Sequence, residues 1–128
     1  MRRSPPQGTP IMLSLENMRA FLEEAARRRC VVSYRDIASV LEVWPPNTIH
    51  QVTDTLECLM AEDAAADRPF IAALAVSGTL GDLPRRGFFD CAGRLGRFGG
   101  DPDGQDARTY HAQELNAAFA YWGSAGEK

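Results

Sequence analysis

The fold of this chain is decided by a stretch that reads Val31-Val32-Ser33-Tyr34-Arg35-Asp36-Ile37-Ala38-Ser39-Val40-Leu41 and, three residues later, Pro45-Pro46-Asn47. Its first residues are β-branched, which favours a short strand. Ser33 is a good helix N-cap, and apolar side chains then recur at helical spacing. Pro45 and Pro46 end that helix, because the residue before a proline avoids helical backbone angles. Asn47 is the predicted N-cap of the next helix, so the stretch predicts a helix-turn-helix.

The other elements follow from apolar periodicity and from the positions of glycine and proline. The apolar repeats predict further helices at 15–29, from 48 to about 61, from about 88 to 98 and at 106–122. A continuous apolar run over 70–77, bounded by Pro69 and Gly78, predicts a buried strand that pairs with Val31-Val32 or with another short segment. One of the two phenylalanines that open the fourth helix, Phe88 or Phe89, is expected in the core.

Length and composition predict one domain with a substantial core. The chain has 128 residues, of which 45% are apolar. We assign 1–11, which is rich in proline, to a flexible arm, 12–122 to a single globular domain, and 123–128 to a frayed end. The predicted fold class is α+β and winged-helix-like. It combines a helix-turn-helix bundle with a small sheet and two further C-terminal helices.

The cysteines and the hydropathy pattern predict the compartment. Cys30, Cys58 and Cys91 are far apart and odd in number, so we expect small buried hydrophobes in a reducing cytoplasm rather than a disulfide framework or a zinc site. No apolar run is long enough to span a bilayer, and no signal-type apolar core follows the basic N-terminus. We therefore expect a cytoplasmic protein without a membrane partner.

The sequence offers no catalytic constellation. His50 and His111 are the two histidines, and neither has a Cys, Asp or Glu at the spacing of a triad or a metal site. Both are expected to be solvated on helix surfaces. The glycine-rich segment 99–104 lacks the strand, lysine and hydroxyl residue of a phosphate loop. We predict no catalytic residue, no metal and no cofactor.

A helix-turn-helix is compatible with DNA reading, because its second helix can enter the major groove with its first turns. The candidate reading surface consists of Arg35, Asn47, Thr48, His50 and Gln51. Amide side chains can pair with adenine in the groove. Binding to phosphates, however, needs Lys or Arg, and residues 48–62 hold none and contain three acids. A DNA-binding regulator therefore remains an alternative to a module that contacts protein.

A second candidate site is the loop before the fourth helix. Arg85 and Arg86 stand between Pro84 and Gly87, next to the predicted helix start. Paired guanidinium groups and free N–H groups at a helix N-terminus could hold a phosphate or a carboxylate. The other interpretation is a solvated turn that anchors the two phenylalanines. An anion-binding or ligand-binding protein is thus a third hypothesis.

Residues 30–78 resemble the DNA-binding domain of O6-alkylguanine alkyltransferases and alkyltransferase-like proteins. The most specific part is the Ser-Tyr-x-Asp-Ile-Ala element at 33–38, which precedes the proline-asparagine turn. The family's reactive Pro-Cys-His-Arg strand corresponds here to Ala73-Leu74-Ala75-Val76-Ser77, without Cys or His, and the family's arginine in the recognition helix is missing. The resemblance implies a winged-helix fold without alkyl transfer.

A second resemblance covers residues 83–97. The segment Leu-Pro-Arg-Arg-Gly-Phe-Phe at 83–89, followed by Ala-Gly-Arg-Leu-Gly-Arg at 92–97, is similar to a segment that recurs in small uncharacterised bacterial proteins. It implies a recurring loop-helix unit and no function. We therefore favour a small non-enzymatic interaction or regulatory module with an unidentified protein partner.

Overall fold

The computed structural model describes residues 13–78, 83–102 and 104–124, the last without its side chain. The predicted arm at 1–11 lies outside these residues, as do 125–128. In chain order the elements are α1 (Leu15–Arg27), β1 (Val32–Ser33), α2 (Tyr34–Val40), α3 (Thr48–Ala65), a 3₁₀ helix (Ile71–Leu74), β2 (Ala75–Val76), α4 (Arg86–Arg94) and α5 (Gln105–Ser124). The described part of the chain is therefore mostly helical, with a small sheet, and its class is α+β.

The sheet is the smallest possible one. β1 and β2 run parallel, with Val32 opposite Ala75 and Ser33 opposite Val76. This confirms that the apolar run pairs with the segment around Val32. The predicted strand at 70–77 is nevertheless wrong for most of its length, because Ile71–Leu74 form a buried 3₁₀ helix. Periodicity cannot distinguish a short strand from a helical turn when every side chain is buried.

Two of the three predicted helix caps are present. Ser14 Oγ accepts a hydrogen bond from the Asn17 amide at 3.0 Å, and Ser33 Oγ accepts one from the Asp36 amide at 3.0 Å. Asn47 occupies the N-cap position of α3, but its side chain makes no capping bond. Its backbone is left-handed at φ 62°, a conformation that asparagine tolerates better than most residues. Asn47 therefore reverses the chain and does not cap the helix with its side chain.

Several helix ends differ from the prediction. α3 runs four residues beyond position 61, to Ala65, and α5 includes residues 123 and 124. α4 ends at Arg94 instead of 98, because Gly96 adopts φ 82° and the Arg97 amide donates to the Ala92 carbonyl at 2.8 Å. That pattern is the Schellman motif, in which a left-handed glycine closes a helix.

The core surrounds the 3₁₀ helix, which α1, α3 and α5 all contact. The largest fully buried side chains are Phe70, Met18, Leu22, Ile37, Leu59, Met60, Ile71, Leu74, Val52, Val76 and Asp63. Both Phe88 and Phe89 are buried, where only one was expected. The Phe88 ring meets the Phe70 ring edge-on, with 6.0 Å between centroids. α4 is thus attached to the core through two aromatic rings.

Two predictions about burial are corrected. Cys91 is buried, but Cys30 and Cys58 are exposed and are not core residues. His111 is buried rather than solvated, and its Nε2 lies 2.9 Å from the Ala73 carbonyl oxygen. Because a carbonyl can only accept, Nε2 carries the proton. His111 on α5 therefore satisfies a carbonyl of the 3₁₀ helix.

Among the described residues, no helix combines the length and the apolar character needed to cross a membrane.

Candidate functional site

The turn between α2 and α3 is fixed by side-chain and backbone bonds. Glu42 and Asn47 adopt φ values of 54° and 62°, which reverse the chain at each end of the turn. The peptide bond between Pro45 and Pro46 is cis. The Gln51 side-chain amide donates to the carbonyls of Trp44 at 3.0 Å and Pro46 at 2.9 Å. Gln51, which belongs to α3, thereby fixes the turn against the start of α3.

This ordered turn presents apolar side chains to solvent. Trp44 is 73% exposed and Val40, at the end of α2, is 48% exposed. Glu42 lies between them in the chain and is exposed as well. A groove of about 490 Å³ is lined by Ser39, Val43 and Trp44, among others. We call Val40, Glu42 and Trp44 together the turn surface.

The charge around the turn surface is negative. Residues 34–54 contain three acids, Asp36, Glu42 and Asp54, and a single Arg, Arg35. His50 Nε2 lies 3.4 Å from Asp54 Oδ2, and both side chains are mostly exposed. With a neutral histidine, residues 34–54 carry a net charge of −2.

The structure places the five residues predicted to read DNA at the starts of two different helices. Arg35 is exposed on the first turn of α2, whereas the other four lie at the start of α3. Both hydrogen bonds that the Gln51 amide nitrogen donates go to the turn carbonyls. An amide has two such donors, so Gln51 has none left for a base edge in this conformation. The nearby His50 ring faces a carboxylate.

The structure separates the two arginines of the predicted anion site. Arg85 precedes α4, where its backbone N–H donates to the Tyr34 hydroxyl at 2.8 Å and its guanidinium lies 6.0 Å from the Tyr34 ring centroid. Arg86 Nε lies 3.7 Å from Asp90 Oδ2, one helical turn further on. The two guanidinium groups therefore have different neighbours, and of the two only Arg85 lines the cavity between α2, α3 and α4.

That cavity has a volume of about 110 Å³ and lies between α2, α3 and α4. Its polar lining consists of Tyr34, Thr53, Glu57 and Arg85. Burial raises the pKa of Tyr34 to about 12, so its hydroxyl stays protonated at neutral pH. Because the hydroxyl oxygen already accepts the Arg85 N–H, the hydroxyl hydrogen is left as a donor.

A buried ionic network that was not predicted from the sequence lies on another side of α3. Asp63 is fully buried, and its Oδ1 lies 3.0 Å from Arg19 Nη1 and 2.9 Å from Arg68 Nη2. Its Oδ2 accepts the Ile71 amide hydrogen at 3.1 Å. Both guanidinium groups lie over the Trp122 ring, at 5.0 and 5.1 Å from its centroid. This arrangement ties α1, α3 and α5 to the start of the 3₁₀ helix.

A signal for this network was present in the sequence. Asp63 follows Leu59 and Met60 at the spacing of the apolar stripe of α3, and therefore stands on its inner face. A buried carboxylate needs cationic or hydrogen-bonding partners. The two arginines that supply them are far away in sequence, so their identity was not readable from spacing.

No family model, curated protein or solved structure matches this chain. Among the described residues, no group of three or more His, Cys, Asp or Glu side chains could hold a metal ion. The resemblances at 30–78 and 83–97 therefore stay predictions.

Proposed function

We propose that this protein is a non-enzymatic interaction module whose helix-turn-helix, the α2–turn–α3 unit, binds a protein partner through the turn surface. The observation that carries the proposal is the 73% exposure of Trp44 on a turn that Gln51 holds in place. A tryptophan is costly to expose to water and is among the residues that contribute most to protein interfaces.

The order in the turn reduces the cost of binding. Association is opposed by the loss of side-chain and loop freedom at the interface. Here the carbonyls of Trp44 and Pro46 already accept hydrogen bonds from the Gln51 side chain, so the loop is ordered before a partner binds. Trp44 and Val40 can then be buried without further ordering of the backbone.

Charge indicates the chemistry of the partner. The net charge of −2 on residues 34–54 favours a segment that carries Lys or Arg beside an apolar anchor. The same charge opposes the approach of a phosphate backbone, and α3 contains no Lys or Arg to offset it. The proposed partner is therefore a basic segment of another protein, with one large apolar side chain that packs against Trp44.

The winged-helix arrangement is part of the same proposal. It is supported by the order β1, α2, α3 and β2, in which the strands before and after the helix-turn-helix pair with each other. The resemblance to alkyltransferase-like proteins over 30–78 agrees with that order. In this reading the DNA-binding form of the fold is used as a scaffold for a protein contact.

Synthetic peptides test the proposal directly. Twelve-residue probes would carry one central Leu or Trp with Lys and Arg on both sides, and matched probes would carry Asp and Glu instead. Binding is measured by fluorescence anisotropy. We expect the basic probes to bind and the acidic probes not to bind. Trp44→Ala should weaken binding by roughly 30-fold, because interface hot spots contribute about 2 kcal/mol or more.

Tyr121→Ala is the matched control, because Tyr121 is an exposed aromatic residue on α5, outside the turn surface. It should leave peptide binding unchanged. Equal affinity for Trp44→Ala and the parent protein, or no binding of any basic probe, would contradict the proposal. Affinity for duplex DNA that falls by orders of magnitude between about 50 and 200 mM salt would instead support the DNA-binding alternative.

A further inference from the structure

The cavity between α2, α3 and α4 is lined by two side chains of opposite charge. Arg85 is exposed at its mouth and makes no ion pair with another described residue. Glu57 lines the same cavity from α3. Both charges act on the Tyr34 hydroxyl, since Arg85 lowers and Glu57 raises its pKa, although burial has the larger effect. The hydroxyl is therefore near a cation and an anion that do not contact each other.

The cationic side of the cavity can bind a carboxylate. The Arg85 guanidinium offers several N–H donors, and a fork of such donors matches the two oxygens of a carboxylate. The Tyr34 hydroxyl hydrogen is a further donor, because the hydroxyl oxygen is already occupied by the Arg85 N–H. Tyr34 is 3% exposed, so this donor lies where bulk water does not compete freely.

The anionic side of the cavity can bind an ammonium group. Glu57 Oε1 lies 3.3 Å from Arg94 Nη2, and the Arg94 side chain is exposed. Glu57 Oε2 has no hydrogen-bond donor among the described residues and lies 3.3 Å from the position that a Cβ on Gly87 would take. Gly87 also lines the cavity, so the missing side chain leaves space beside this oxygen.

Size and apolar lining limit the ligand. A cavity volume of about 110 Å³ is smaller than the roughly 150 Å³ of a cavity that holds one benzene molecule. Leu56, Met60 and Phe88 form apolar parts of the lining, where a short aliphatic side chain would fit. A phosphate would meet the Glu57 carboxylate, whereas a molecule with both charges finds a partner for each.

From these contacts we infer that the cavity binds a small zwitterion of the α-amino acid class, with its carboxylate on Arg85 and the Tyr34 hydroxyl and its ammonium group on Glu57. Arg86 has no part in this site, because it is placed beside Asp90 and does not line the cavity. The inference is independent of the turn surface, since none of Val40, Glu42 and Trp44 lines the cavity.

Amide chemical shifts of the ¹⁵N-labelled protein test this inference. The probes are L-alanine, glycine, acetate and methylammonium, titrated at constant ionic strength. We expect L-alanine and glycine to give saturable shifts at Tyr34, Gly87 and their neighbours. Acetate and methylammonium each satisfy one charge only, so their affinities should be at least tenfold lower. Acetate that binds as tightly as L-alanine would overturn the zwitterion assignment.

Variants separate the site from its surroundings. Arg85→Ala and Glu57→Gln should each weaken L-alanine binding by about ten- to a hundredfold, because each removes a charge-assisted contact. Arg86→Ala, the neighbouring surface arginine, should leave the affinity unchanged. Since Arg85 is exposed, its variant should retain the parent's melting temperature. The absence of any saturable shift, or full affinity in both Arg85→Ala and Glu57→Gln, would refute the inference.

Discussion

Replacing Asp63 with alanine removes the carboxylate at the centre of the buried ionic network. The carboxylate is fully buried, within 3.0 Å of Arg19 and 2.9 Å of Arg68. The arginine side chains are themselves only 17% and 29% exposed. Without Asp63, Arg68 would lose its anionic partner, and Arg19 would keep only the half-exposed Glu62 carboxylate, while both guanidinium groups stay over the Trp122 ring.

The magnitude follows from what each partner loses. Removing one member of a buried ion pair costs about 3–5 kcal/mol, because the remaining charge is uncompensated. The Ile71 amide, which donates to Asp63 Oδ2 at 3.1 Å, also loses its acceptor. That second loss overlaps with the first, so about 3–5 kcal/mol remains our expectation for Asp63→Ala. For a domain of 128 residues this corresponds to a fall in Tm of roughly 10–20 °C.

Urea unfolding followed by circular dichroism measures the free energy directly. Asp54→Ala is the matched control, because Asp54 lies on the same helix but has an exposed side chain paired only with exposed His50. The control should change the free energy of unfolding by no more than about 0.5 kcal/mol. If Asp63→Ala cost less than about 1 kcal/mol, the structural role assigned here to the carboxylate would be wrong.

Three further predictions concern other buried groups. Burial lowers the pKa of His111 below its ordinary value of 6.5, so the folded state favours the neutral ring. The unfolded chain therefore binds more protons than the folded protein below about pH 6.5, and the free energy of unfolding should fall from about pH 7.5 to pH 5.5. This fall should be smaller in His111→Gln than in the parent protein or in the control variant His50→Gln. Phe89→Ala should cost about 3–5 kcal/mol in urea unfolding, because the ring is 2% exposed. Burial also raises the pKa of the Cys91 thiol, so a disulfide reagent should label Cys58 in the native protein and Cys91 only after unfolding.

Each of these predictions has an outcome that contradicts it. The same pH dependence in His111→Gln and in the parent would mean that His111 does not titrate as a buried group. A Phe89→Ala variant that melts like the parent would exclude the packing of α4 described here. Rapid labelling of Cys91 in the native protein would show that its thiol is accessible.

The sequence by itself determined the features that depend on a few neighbouring residues. The caps at Ser14 and Ser33 were readable because each hydroxyl bonds an amide three positions on. The prolines were expected to end α2, but the helix already ends at Val40, where Glu42 is left-handed at φ 54° and the Val43 amide donates to the Ala38 carbonyl at 2.9 Å. Val31-Val32 was one of two partners predicted for the apolar run, because this segment is short, apolar and β-branched, and the structure pairs Val32 with Ala75.

Only the tertiary structure decided the conformation of the apolar run and the partners of the polar groups. Residues 71–74 form a 3₁₀ helix that α1, α3 and α5 contact, and because all four residues are buried, the alternation that marks a strand is absent. The burial of His111 and Asp63 also depends on the fold, since each bonds a backbone group that another element brings into the core. His111 bonds the Ala73 carbonyl, and Asp63 accepts from the Ile71 amide.

The site around Arg85 likewise combines a feature that is readable from the sequence with one that depends on the fold. That Arg85 and Arg86 stand at the start of a helix was evident from proline, glycine and the phenylalanines that follow. That only Arg85 lines a cavity with Tyr34 and Glu57 depends on how α2, α3 and α4 pack, and spacing along the chain carries no information on that packing. Local sequence fixes where a helix begins, whereas the direction of each charged side chain is set by the neighbours that the complete fold supplies.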